Sequence, residues 1–159
     1  EPGVDEAKLE SETAKSTYKK IKKDTFESSS KTLYDQGYEK YKLLSIEDEF
    51  KLQIDDWIFV GIIDLVFEDE NGRLIIRDYK SKASFKDEKE QRKYARQLYL
   101  YSLYVKEKYG RYPDELQFLM FRKQNTVKIP FNQDELNEAV KWATDTVRII
   151  RSRRLSLGS

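Results

Sequence analysis

Residues 58–80 read IFVGIIDLVFEDENGRLIIRDYK, and the folding of this stretch decides the rest. The apolar, partly β-branched run from Ile58 to Phe67 predicts a central strand. Glu70-Asn71-Gly72 predicts a hairpin turn, and Leu74 to Lys80 a partner strand. Charged residues interrupt these runs, among them Asp64, Asp78 and Lys80. A carboxylate there is costly to bury unless paired or metal-bound. Strand alternation places Asp78 and Lys80 on one face. The turn decides whether Asp64 joins them. A two-residue turn at Asn71-Gly72 pairs Asp64 with Tyr79, on the wrong face. A three-residue loop, with Gly72 left-handed, pairs Asp69 with Arg73 and therefore Asp64 with Asp78. The second arrangement is expected, because metal-assisted chemistry needs the two carboxylates as neighbours.

Upstream, Phe50, Leu52 and Ile54 alternate with Glu49, Lys51 and Gln53, which predicts another strand closed by a turn at Asp55-Asp56. The three strands form an antiparallel meander. Leu33, Tyr34, Tyr38, Tyr41 and Leu44 recur at helical spacing and predict a helix through about residue 44. Residues 1–26 read as a polar, Lys/Glu-rich helical arm, and 27–159 as the domain proper. Downstream, 81–87 is a polar loop and 88–109 a helix ending at Gly110. Leu116 to Phe121 and Thr126 to Phe131 predict two more strands. Gln133 to about Arg153 is an amphipathic helix carrying Leu136, Val140, Ala143, Val147 and Ile150 on one side. The fold class is therefore α/β (α+β), with a central mixed sheet flanked by helices.

Composition narrows the chemistry. The 159 residues include 30 basic and 29 acidic side chains, for a net charge of +1, so a nucleic-acid partner would require local charge segregation. The chain has no Cys and no His. Thiolate zinc sites, Fe–S clusters, Cys nucleophiles and Ser-His-Asp triads are excluded within it. Metal chemistry must use oxygen ligands, which suits Mg²⁺ or Mn²⁺. No apolar run approaches the ~20 residues that span a membrane, and the default setting is a reducing cytoplasm.

Two carboxylates holding a divalent cation, with a lysine beside them, are sufficient parts for phosphodiester hydrolysis without histidine. The backbone carbonyl of Tyr79 is a candidate further ligand. Gly61-Ile62-Ile63-Asp64, then Asp78-Tyr79-Lys80-Ser81, then Gln97-Leu98-Tyr99-Leu100-Tyr101 resembles the motif series of PD-(D/E)XK nucleases. The resemblance is to their RecB-like branch, which includes CRISPR-associated and phage exonucleases, and it covers about residues 45–152. It implies a restriction-endonuclease-like core, with Asp64 and Asp78 as metal ligands and Lys80 as the catalytic lysine. It makes Gln97 and Tyr101 site-shaping residues that contact nucleic acid. It further implies a metal-dependent deoxyribonuclease, acting as an exonuclease or on single strands and flaps, in recombination, repair or phage DNA processing. The implied partners are DNA ends and a recombination or replication protein, in a bacterial or phage-encoded cytoplasmic setting. Many members of the branch carry an extra histidine ligand, and some an Fe–S cluster; this chain has neither His nor Cys. An upstream acid, Glu39 or Glu49, is the candidate substitute.

Plainer readings stand beside these. Gln97 and Tyr101 also fit an apolar helix stripe with Tyr94 and Leu98. Arg92, Lys93 and Arg96 read either as a solvated face or as phosphate contacts at the cleft mouth. Arg148, Arg151, Arg153 and Arg154 give the last helix a basic end, partly expected from its dipole. Surface aromatics could stack on unpaired bases, but the sequence singles none out. The alternative function is a catalytically silent nucleic-acid-binding or assembly module that keeps the nuclease fold.

Overall fold

The computed structural model describes residues 41–158. Five strands form one sheet in the order β1-β2-β3-β4-β5. They are β1 (Lys42–Ile54), β2 (Trp57–Glu68), β3 (Leu74–Lys80), β4 (Glu115–Met120) and β5 (Asn125–Pro130). Helix α1 (Glu88–Tyr109) links β3 to β4, and α2 (Gln133–Gly158) follows β5. β3 and β4 pair in parallel and the other neighbours are antiparallel, so the sheet is mixed, as expected. The proposed arm, the boundary near residue 27 and Glu39 lie outside the described residues.

Helix α1 has the boundaries its sequence predicts. The Asp87 carboxylate accepts the Glu90 N–H at 2.9 Å, satisfying a donor that the first turn leaves unpaired. At the other end Gly110 takes the left-handed conformation (φ 82°), and its N–H donates to the Lys106 carbonyl at 2.8 Å. Leu98, Tyr101 and Val105 of α1 pack with Leu136, Ala139 and Ala143 of α2 and with Ile63, Val66, Ile76, Phe118 and Met120 of the sheet. Both described helices thus cover one sheet face. A smaller cluster of Leu65, Phe67 and Ile75 lies on the other face, with Tyr41, Leu43, Ile46 and Tyr79 against it.

One expected element is corrected. Lys42 to Leu44 belong to β1 and not to a helix. The register with β2 shifts between Leu43 and Ser45, and Glu47 takes a positive φ of 46°. Such irregularities break the period-two pattern, so Tyr41 and Leu44 mimic helical spacing. In space they separate: Tyr41 stacks on Phe67 with ring centroids 5.5 Å apart, whereas Leu44 packs with the helix-side core.

Candidate active site

The β2–β3 hairpin has the three-residue loop. The Asp69 N–H donates to the Arg73 carbonyl at 3.0 Å, and Gly72 has φ 76°. The Asp69 carboxylate accepts the N–H groups of Asn71 and Arg73, each at 2.9 Å, which fixes the turn from inside. The ladder runs from Glu68↔Leu74 to Leu65↔Arg77. Continued by one step, it sets Asp64 opposite Asp78.

Asp64 also marks an irregularity. Ile63 and Val66 belong to the helix-side core, whereas Leu65 belongs to the far-side cluster. Alternation therefore slips once between Ile63 and Val66. Opposite, the β1–β2 pairing passes from Ile46↔Leu65 to Asp48↔Ile63, skipping Glu47 and Asp64. The Asp64 carboxylate accepts the Tyr79 N–H at 2.9 Å, a side-chain acceptor at the point where the β2–β3 ladder ends.

Asp78 and Lys80 project to the helix side with Ile76, and Lys80 Nζ lies 2.8 Å from Asp78 Oδ2. The same ammonium stands over the Tyr94 ring of α1, 4.1 Å from its centroid. Tyr94 is placed in turn by stacking on Phe85 (5.7 Å, 30°). Burial, then the charge of Asp78 and a hydrogen bond with it, push the Asp64 carboxyl up to about 7, while the Tyr79 N–H pulls the other way. A cation bound beside Asp64 would offset that cost and favour its ionised form.

From α1, the Gln97 amide donates to the Tyr101 hydroxyl oxygen at 2.8 Å, and the Ile62 backbone N–H also serves that oxygen. Burial and the Asp78 charge push the Tyr101 phenol up to about 12, so it stays a neutral hydroxyl beside the acids. Gly61 admits that ring. A Cβ built on Gly61 would lie 2.7 Å from Tyr101 Cε1 and 3.0 Å from Phe50 Cζ. Gly61→Ala is accordingly expected to cost about 1–3 kcal/mol through overpacking. Urea unfolding measures that loss, and an unchanged midpoint would mean that Tyr101 moves aside freely.

The structure gathers Asp64, Asp78, Lys80, Gln97 and Tyr101, but not every candidate. Glu49 is exposed on the β1 face opposite Phe50, with the exposed Ile62 as cross-strand partner, so it is not brought to the acid pair. Its neighbour Asp48 is the acid that β1 turns toward α1, where Lys108 Nζ (2.7 Å) and the Tyr104 hydroxyl (3.4 Å) hold it. Arg92 and Lys93 are exposed on α1. Arg96 faces α2, with its guanidinium 4.3 Å from the Trp142 ring centroid. Sequence reasoning missed Tyr94 as a partner of Lys80, because its spacing with Leu98 and Tyr101 reads as core.

The donor set tests whether a metal suits the site. Among the described residues no three acidic side chains converge. The protein offers two adjacent carboxylates, with the Tyr79 carbonyl as a candidate third oxygen. A small divalent cation that retains most of its water matches so sparse a set.

A parallel β3–β4 pair bridged by α1, inside a mixed sheet bearing Asp64, Asp78 and Lys80 on the helix side, defines a nuclease-type core. The chain belongs to the PD-(D/E)XK nuclease superfamily, whose family model matches residues 3–155. Nucleases of this superfamily use divalent metals, typically Mg²⁺ or Mn²⁺. Among solved structures, the crystal structure of SSO0001 is similar at 16% identity and a TM-score of 0.46, covering 86% of this chain and 65% of that one. The chain thus spans less than two thirds of the length of that structure. No curated protein matches the chain. No described helix is long and apolar enough to cross a membrane.

Proposed function

We propose that this protein is a divalent-metal-dependent DNA nuclease of the RecB-like type. It hydrolyses phosphodiester bonds as an exonuclease or a single-strand or flap nuclease, in recombination, repair or phage DNA processing. The observation that carries this reading is the hydrogen-bonded proximity of the Asp64 and Asp78 carboxyls, with the Lys80 ammonium 2.8 Å from Asp78. The two carboxylates, with the Tyr79 carbonyl, would hold the cation. When bound, the cation supplies Lewis-acid polarisation of a phosphoryl oxygen and of the attacking water. Lys80 donates hydrogen bonds toward the reacting phosphoryl group, where negative charge grows in the transition state. Tyr94 keeps that ammonium in place, and the neutral Tyr101 hydroxyl, fixed by Gln97, shapes the wall beside the acids. Arg92 and Lys93 lie on the same helix as Gln97 and contact the phosphate backbone.

The test is incubation with end-labelled single-stranded DNA, duplex DNA and RNA, in Mg²⁺, in Mn²⁺ and in chelator. Metal-dependent cleavage of DNA is expected, and the product ladder gives polarity. Inertness on every substrate with both metals would overturn the catalytic reading and leave the silent binding module.

A further inference from the structure

The chain has two tryptophans, and one of them is unusually placed. Trp142 is 46% exposed on α2, although indole is a large apolar group that folding normally covers. The Arg96 guanidinium lies 4.3 Å from its ring centroid. Thr146, Ile149 and Arg153 follow Trp142 at helical spacing on the same side of α2, and Ile149 is 53% exposed.

The surrounding charge has a direction. The two helices run antiparallel: Tyr99 meets Phe131 just before α2, and Arg96 meets Trp142 further along it. The half of α2 beyond Trp142 therefore lies toward the first turns of α1, which carry the exposed Arg92 and Lys93. The acids of α2 fall before Trp142 except for Asp145, which Lys141 (2.6 Å) and Arg148 (3.9 Å) hold. Past Asp145, α2 has four arginines and no acid; Arg148 pairs with Asp145, and Arg151 with Asp56 of the β1–β2 turn at 2.6 Å. Every residue from Arg148 to Leu155 is exposed. The exposed cations of these two segments thus include Arg92 and Lys93 on α1 and Arg153 and Arg154 on α2.

We infer that Trp142 and Arg96 form a stacking platform for an unpaired base of single-stranded DNA, with Arg153 and Arg154 of α2 and Arg92 and Lys93 of α1 neutralising the flanking phosphates. Every base has a π-face that an indole can cover, and a planar guanidinium can remain stacked beside it. A duplex keeps its bases stacked on one another and offers the platform only phosphates. Arg96 directly precedes Gln97, which holds Tyr101, so platform and acid pair lie on different flanks of one helix, ~10 Å across. The inference rests on the nuclease reading only in naming DNA as the ligand; the binding itself is testable without cleavage.

The experiment follows intrinsic fluorescence of the Lys80→Ala protein in chelator, titrated with oligothymidylate, with an abasic oligonucleotide of equal length, and with a duplex. Oligothymidylate should quench the emission, and Trp142→Phe should remove most of that quenching, which assigns it to this indole. Trp142→Ala should weaken oligothymidylate binding about 5–100-fold, the range for loss of one stacked base, while leaving abasic binding unchanged. Arg96→Ala should weaken it less. Equal affinity of parent and Trp142→Ala for oligothymidylate, or no preference of the parent for oligothymidylate over the abasic strand, would overturn the inference. Cleavage by the parent chain is recorded alongside: inertness there with preserved quenching would reject the nuclease reading and keep the platform.

Discussion

Replacing Lys80 by alanine is expected to lower the DNA cleavage rate about 10²–10³-fold while the protein stays folded and responsive to metal. The ammonium sits within 2.8 Å of Asp78 and against the Tyr94 ring, so its position is fixed before substrate arrives. A donor held in place costs no reorganisation when charge develops on the phosphoryl oxygens, and its loss is felt mainly in the transition state. Metal binding should move the other way. Without Lys80 the two carboxylates lose their nearest cation, so the metal concentration giving half-maximal rate should stay constant or fall. Initial rates on end-labelled DNA across a metal titration separate the two effects, and thermal melting checks the fold. Lys80→Arg should not restore the rate, because a planar fork cannot occupy the space of a compact ammonium between a carboxylate and an aromatic face. An alanine variant that cleaves as fast as the parent would remove Lys80 from the chemistry.

The acid pair was legible in the sequence because a turn sets a register. Asn71-Gly72 offers two loop lengths, and each sends Asp64 to a different face. Only the left-handed Gly72 with Asp69 capping the turn brings it to Asp78, as the structure has it. Helix α1 was legible in its helical run and in Gly110, whose cap is a local device. What escaped the sequence is what depends on partners distant in the chain. The first half of β1, ahead of the strand read at Phe50 to Ile54, is hidden by its own bulge and by Glu47. Glu49 and Asp48 differ by one position, and only the sheet fixes which of them faces α1. Tyr94 reads as core until Lys80 is found above it. Trp142 lies off the apolar face read for the last helix, and only the structure shows it open beside Arg96.

Asp64→Asn is expected to stabilise the metal-free protein above neutral pH, on the order of 2–4 kcal/mol, while abolishing metal-dependent cleavage. The sign follows from proton counts. Folding pushes the Asp64 carboxyl up to about 7 from 3.8, chiefly by burial and then by the charge of Asp78. Below about pH 4 both the folded and the unfolded chain hold the proton, and the site costs nothing. Between about pH 4 and pH 7 the unfolded chain has released it and the folded chain has not, so stability falls as pH rises. Above about pH 7 the penalty is complete. Asparagine carries no charge, so the difference between variant and parent should open across that window and then level off. A divalent cation bound by the ionised pair should close the gap for the parent alone, because ligand binding stabilises only the state that binds it. Urea unfolding of both proteins at several pH values, in chelator and in millimolar Mg²⁺, measures every part of this. If the two proteins lose stability in parallel as pH rises, Asp64 does not carry the cost of ionising this site. If instead the parent alone is destabilised and alone recovers with metal, the same carboxylate that strains the empty fold is the one that holds the cation, and the instability of the site is a consequence of its readiness to bind.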